Sequence, residues 1–184
     1  MQMQMKNWSL AAALGVVAIC FFSPVEASAQ GAPQPLKRID TARFFTGTWL
    51  EIGRRPMWLT DGCVAGTTSY ARTTDPRTIN VKDACREGRR DGPEKSISGS
   101  GTILDPGINA RLSVRYNFFV TREYWILDRA ADYSWFIEAS PDFQDLYIFT
   151  RKVPSPSRLK FLVRRAAQLG YDVRKLEFPA QPPR

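Results

Sequence analysis

Phe45-Thr46-Gly47-Thr48-Trp49-Leu50-Glu51-Ile52-Gly53-Arg54 is the stretch whose reading decides the fold. A turn glycine leads into a strand whose first large residue is tryptophan. Arg54 and Arg55 follow, and Pro56 stops the strand because proline cannot donate to a ladder. Alternation puts Trp49, Glu51 and Gly53 on one face and Leu50 and Ile52 on the other. Seven further runs follow, at Thr67–Arg72, Thr78–Cys85, Ser96–Leu104, Ala110–Phe118, Glu123–Asp128, Tyr133–Ala139 and Leu146–Arg151. The breaks between them carry Asp75-Pro76, Asp91-Gly92-Pro93, Asp105-Pro106-Gly107 and Ser140-Pro141-Asp142, which are turn formers. Connections this short pair neighbours antiparallel, and about eight such strands close into an up-and-down barrel. A two-sheet sandwich is the alternative. The fifth run shows the period best: Leu112, Val114, Tyr116 and Phe118 alternate with Arg111, Ser113, Arg115 and Asn117. The sixth and seventh runs are apolar on both faces, so their inward side stays open.

One helix follows the strands. Ser155 caps it, Pro156 suits its first turn and Gly170 ends it. Leu159, Leu162, Val163, Ala166 and Leu169 form one stripe opposite Arg158, Lys160, Arg164 and Arg165. That stripe needs an apolar surface, which Leu50, Ile52, Leu146 and Ile148 supply if they point out of the barrel. Leu176 and Phe178 are expected in a last short strand before a fraying Pro-rich end. The fold class is therefore all-β: an eight-stranded antiparallel up-and-down barrel with a C-terminal α-helix on its outside.

The first 29 residues read as a signal peptide, with Lys6 in the n-region, an apolar run from Trp8 to Phe22, and Ala27-Ser28-Ala29 at the cleavage site. Ile19 precedes Cys20 where a lipoprotein signal carries a small residue, so ordinary cleavage is expected. Residues 30–38 read as a flexible leader and residues 39–181 as the barrel domain. The chain carries a net charge of +8, but its charges are interspersed, as in Arg86-Glu87-Gly88-Arg89-Arg90-Asp91. Export makes nucleic acid a poor partner and leaves peripheral contact with anionic membrane lipid as one reading of the basic balance. There is no histidine, which excludes Ser-His-Asp and Cys-His catalysis and His-ligated zinc or haem. No residue pattern calls for a metal or other cofactor. Past the leader only Cys63 and Cys85 remain; one disulfide is the simplest reading in an oxidising compartment, and two free thiols are the alternative.

If strand directions alternate, Trp49, Asp132, Tyr133 and Arg151 collect at one end of the barrel, and Cys63 and Cys85 at the other. A guanidinium there can stack on the indole while donating to backbone carbonyls. These residues resemble the lipocalin family, and within it the bacterial lipocalins of the outer-membrane lipoprotein type. Gly47 through Arg54 looks like the first-strand signature, Ala131-Asp132-Tyr133 like the second motif with alanine for threonine, and Arg151 like the third.

The resemblance implies a cup that binds, stores or transports a small hydrophobic ligand without catalysis, in the bacterial branch a fatty acid or lysophospholipid. The expected cavity residues are Tyr70, Leu112, Val114, Tyr116 and Phe118, with Trp125 or Tyr124 in addition. Arg54, Arg55 and Arg122 are expected at the mouth, facing an anionic head group. Gly53 is expected to face inward and make room for the ligand. The rival reading is a lipid-modifying or isomerase-type enzyme using an internal carboxylate such as Glu51, its pKa raised by an apolar cup. The expected location is the periplasm of a Gram-negative bacterium, soluble rather than lipid-anchored.

Overall fold

Eight antiparallel strands in chain order form a closed barrel in the computed structural model, which describes residues 31–182. They are β1 (Gly47–Arg54), β2 (Cys63–Arg72), β3 (Thr78–Glu87), β4 (Glu94–Ile103), β5 (Arg111–Arg115), β6 (Thr121–Arg129), β7 (Trp135–Ala139) and β8 (Leu146–Thr150). A short helix α1 (Thr41–Phe44) precedes them, and helix α2 (Pro156–Gln168) follows. β1 pairs with β2 on one side and β8 on the other, which removes both sheet edges. The expected signal segment, residues 1–29, lies outside the described residues.

Two apolar clusters divide the inside of the barrel from the outside. Trp49, Tyr70, Leu112, Val114, Phe136 and Phe149 belong to the inner one. Ile52, Leu127, Ile137, Leu146, Ile148, Leu162 and Ala166 belong to the outer one, between the wall and α2. α2 begins where its sequence says it should, with Ser155 Oγ accepting from the Arg158 amide at 3.3 Å, and Gly170 follows it at φ +97°. Asp128, buried on the wall, holds two pieces at once: Arg165 of α2 and Lys37 of the leader both pair with it. Residues 31–38 therefore do not behave as the expected free leader. Ala32 is buried and donates to the Pro141 carbonyl at 2.9 Å, and Arg129 donates to the Arg38 carbonyl.

One end of the barrel is closed. Asp40 caps α1 by accepting from the amides of Ala42 and Arg43, and the helix drives Phe44 and Phe45 into the bottom of the barrel, both fully buried. Phe44 stands 5.3 Å from Trp49 and 4.7 Å from Phe136 between ring centroids. Arg151 lies with its guanidinium carbon 3.5 Å from the Trp49 ring centroid and donates to the carbonyls of Thr46 and Thr48 at 2.8 and 3.0 Å. Gly47, at φ +63°, turns the chain tightly beneath that guanidinium. The Tyr133 hydroxyl accepts from the Asp40 amide at 2.8 Å, and Asp132 caps Ser134. The plug is thus shared by Phe44, Phe45 and Trp49.

Four local expectations change. β5 ends at Arg115, because Asn117 Oδ1 accepts from the amides of Phe119 and Val120 and turns the chain. β2 begins at Cys63, so that cysteine stands at the head of a strand. The segment after α2 makes a single bridge, Glu177 to Arg54, and is held to the barrel as far as Gln181. The Ala65 amide donates to the Ala180 carbonyl at 2.7 Å, and Gln181 donates to the Glu51 carbonyl. Lastly, the β1–β8 register shifts between Glu51 and Gly53. This bulge turns Gly53 outward, where a Cβ would sit 2.9 Å from the Phe178 ring, and turns Arg54 inward.

Trp49→Ala removes a buried indole from a plug that cannot collapse, and is expected to cost about 3–5 kcal/mol in chemical denaturation; a loss below about 1 kcal/mol would show that the plug does not depend on it. Burial favours a raised Asp128 pKa, but Lys37, Arg165 and the Arg129 amide more than offset it and hold the carboxyl below its usual range. Its stabilisation is therefore present above about pH 4 and lost as pH falls through the folded pKa. Asp128→Asn is expected to lower stability by roughly 1–2 kcal/mol at pH 7, since both cations are partly exposed, with the gap narrowing as pH is taken down through the carboxylate range toward about pH 2. An equal gap at both pH values would refute the ion-pair account.

Candidate functional site

Above the plug the barrel opens into a cavity of about 690 Å³, within the size range of small-molecule pockets. Its floor is Tyr70, Val81, Val114 and Phe149. Midway up runs a polar belt that the strand registers bring to one level. Thr68 lies opposite Asp83, and Glu138 opposite both Ile126 and Tyr147. Glu51 joins them from β1, and Gly66 makes room for it: a Cβ at residue 66 would lie 2.8 Å from Glu51 Oε1. The Cys63–Cys85 disulfide, with Cα atoms 5.5 Å apart, closes the rim between β2 and β3.

The three carboxylates of the belt differ in their partners. Glu51 accepts from Arg54 Nη1 at 2.6 Å. Burial pushes its pKa up, and the Arg54 charge and hydrogen bond pull against that. Asp83 accepts from Thr68 Oγ1 at 2.6 Å and from the Tyr116 hydroxyl at 2.5 Å; burial still raises it. Glu138 is only 5% exposed, faces the cavity, and has no hydrogen-bond partner for its carboxyl among the described residues. Burial, then the charges of Asp83 and Glu51, push its pKa well up, so the neutral acid is its favoured form. The tyrosine hydroxyls of residues 70, 116, 124 and 147 are all pushed up by burial and remain protonated.

The expected site residues divide. Tyr70, Val114, Tyr116 and Tyr124 line the cavity. Leu112 does not; it is buried in the inner cluster below it. Phe118 does not either: it is 88% exposed on the β5–β6 turn, packed only edge-on to Phe119. The Asn117 turn ends the alternation before reaching it. Trp125 faces outward, 4.5 Å below the Arg111 guanidinium and bonded to Glu123 at 2.6 Å, because Tyr124 takes the inward phase. Of the mouth arginines, Arg54 is buried rather than free. It donates to Glu51, to Glu177 at 2.6 Å, and to the carbonyls of Thr60 and Cys63. Arg55 pairs with Asp145 at 3.3 Å. Arg122 lines the cavity, and no ion pair holds it among the described residues.

Asp83 and Glu138 were missed by the sequence reading. Asp83 is in phase with Ile79, Val81 and Cys85, which betrays its inward side. Glu138 is the one charged residue of Trp135-Phe136-Ile137-Glu138-Ala139, a strand buried throughout. No group of metal-ligating side chains occurs among the described residues.

A barrel of eight meandering strands, plugged below by a tryptophan under an arginine and hollow above, is a closed up-and-down barrel with room for one small ligand. The sequence model of the lipocalin-like domain family matches residues 39–181. The chain belongs to that family. Solved structures agree on the fold: insecticyanin of the tobacco hornworm Manduca sexta is 18% identical, with a TM-score of 0.60 over 79% of this chain and 82% of that one. Lobster apocrustacyanin A1 is 16% identical, with a TM-score of 0.58 over 83% and 92%. The cockroach allergen Per a 4 gives 16%, 0.59, 81% and 92%. A search of curated protein sequences gave no match.

Because the folded pKa of Glu138 is raised, its favourable contribution is full below the unfolded carboxylate range and is lost as pH rises through the folded pKa. Glu138→Gln removes that dependence. The variant is expected to gain stability over the parent at pH 8 and to match it near pH 4. Parallel stability–pH curves for the two proteins would contradict the buried, unpaired placement.

Proposed function

We propose that this protein binds and carries a small, largely apolar molecule in the barrel cavity, without catalysing its conversion. The observation that carries this reading is the cavity itself: about 690 Å³, walled by Val81, Val114, Tyr70 and Phe149 below and by Met57, Leu59, Ile97 and Val120 toward the mouth. Such walls reward burial of hydrocarbon by roughly 0.8 kcal/mol per methylene. Following the bacterial lipocalin resemblance, we take a fatty acid or lysophospholipid as the reference ligand class. Its anionic head would lie at the mouth, where Arg122 and Lys95 line the cavity and no ion pair holds either among the described residues. The enzyme reading is weakened because the carboxylate it named, Glu51, is held by Arg54 and is not free to move a proton.

We also place the protein outside the cytoplasm, in the periplasm. The Cys63–Cys85 disulfide supports an oxidising compartment. Peripheral contact with a membrane surface is part of this proposal: Phe118, Phe119 and Trp58 are exposed aromatics on the loops at the open end.

Native mass spectrometry of the purified protein, with extraction of whatever co-purifies, tests the reading. A bound lipid or uptake of one from a panel of fatty acids and lysophospholipids is expected. Ile97→Trp narrows the mouth at a half-exposed position away from the packed floor, and is expected to weaken uptake by about tenfold, or 1.4 kcal/mol. A cavity that takes up no member of the panel, or uptake indifferent to Ile97→Trp, would argue against carriage inside the barrel.

A further inference from the structure

Glu138 is a buried carboxyl aimed into a cavity, and nothing in the described protein answers it. Its surroundings deepen the imbalance. Asp83 lies close enough to act on it electrostatically, as does Glu51. The one buried guanidinium of the cavity, Arg54, is consumed by Glu51, Glu177 and two carbonyls. Asp83 uses the two hydroxyls that reach it, Thr68 and Tyr116. Arg122 faces the cavity from β6 a step nearer the open end than Tyr124, Lys95 lines it from β4 at the level of Cys85 and donates to the Leu59 carbonyl, and the tyrosines of the belt keep their protons. The interior therefore holds two carboxyls without a counter-ion and no free cation beside them. A simple alkyl tail reaching the belt leaves Glu138 buried and unsatisfied, and a carboxylate there meets like groups.

We propose that the inner end of the ligand carries a protonated amine, for which Glu138 is the direct partner and Asp83 the second acidic neighbour. This rests on the carriage reading above and reverses the orientation that a fatty acid would take. An ammonium group donates hydrogen bonds to the open carboxyl and is attracted to the electron-rich faces of an aromatic wall that includes Tyr124, Tyr147 and Phe149. The chemistry is a binding equilibrium with one proton exchanged. The Glu138 acid releases its proton to solvent as the ammonium arrives, and the resulting carboxylate and ammonium form the pair. Binding of the amine thus strengthens as pH rises through the range in which Glu138 is protonated in the empty cup, while the amine itself stays charged.

The test uses the full mature chain and three probes of equal chain length, dodecylamine, dodecanol and dodecanoate, each displacing a neutral fluorescent apolar probe below its micelle concentration. Dodecylamine is expected to bind at least about tenfold more tightly than dodecanol, with dodecanoate weakest. In Glu138→Gln the ratio of amine to alcohol affinity should fall toward one, and in Asp83→Asn it should fall partway. The wild-type amine affinity should rise with pH and that of the alcohol should not. Dodecanoate binding as well as dodecylamine, or an amine preference unchanged in Glu138→Gln, overturns the assignment. If the apolar probe and all three amphiphiles fail to enter, carriage itself is wrong and the amine site falls with it. Should Glu138→Gln not fold, the Asp83→Asn ratio and the wild-type pH dependence decide the matter.

Discussion

Arg151 reaches from the end of β8 across the bottom of the barrel to Trp49 on β1, and much of the molecule depends on that contact. The guanidinium covers the indole and satisfies the carbonyls of Thr46 and Thr48. It also reaches those of Arg43 and Phe44 at longer range. One side chain thereby joins the last strand, the first strand and the α1 plug, the three pieces that must meet for the sheet to close. Closure abolishes the edges that a free β1 and β8 would expose. It also fixes which way β1 faces at its lower end. Trp49 and Glu51 point in and Leu50 and Ile52 point out, so α2 has an apolar wall to lie on.

The upper half of β1 obeys a different rule. With the lower end pinned, the bulge at Ile52 is the place where the phase changes, and it exchanges Gly53 for Arg54 on the inner face. A buried guanidinium is costly unless its donors are used. Here four acceptors, two of them carboxylates, surround it, and one of these, Glu177, comes from the segment beyond α2. The tail is held because the arginine needs it. Arg54 is thus a structural cation: it neutralises Glu51 and ties the C-terminal segment across the open end. It leaves Glu138 and Asp83 as the unbalanced part of the interior.

Strand count, closure, the outer helix and the cysteine pair were legible because each rests on local chemistry that survives folding. Pro and Gly mark the turns, the Leu112–Val114–Tyr116 alternation marks a half-buried strand, and Ser155 and Gly170 mark a helix's ends. What escaped depended on phase. Extending the alternation to Phe118 ignored the ability of Asn117 to bond its own following amides and end the strand. Trp125 and Tyr124 are adjacent aromatics, and only pairing with β5 and β7 decides which points inward. Gly53 was assigned by a periodicity that one bulge cancels. Glu138 was hidden for the opposite reason: in a strand buried on both sides, alternation carries no information, and the single charge was the signal.

That a charged residue occupies such a strand sharpens the account of the cavity. A leucine or methionine at residue 138 would fill the same wall with no desolvation cost, and the cup would then be a plain hydrocarbon sleeve. Evidence that the carboxyl is not merely structural comes from its lack of any bond to the scaffold, in contrast to Glu51 and Asp83, whose oxygens each hold a neighbouring side chain in place. A carboxyl that holds no neighbouring side chain and opens onto the cavity is available to whatever enters it. The closed end, the bulge and the disulfide rim build the container, and the selectivity proposed for it rests on one acid on β7 that no side chain of the described protein binds.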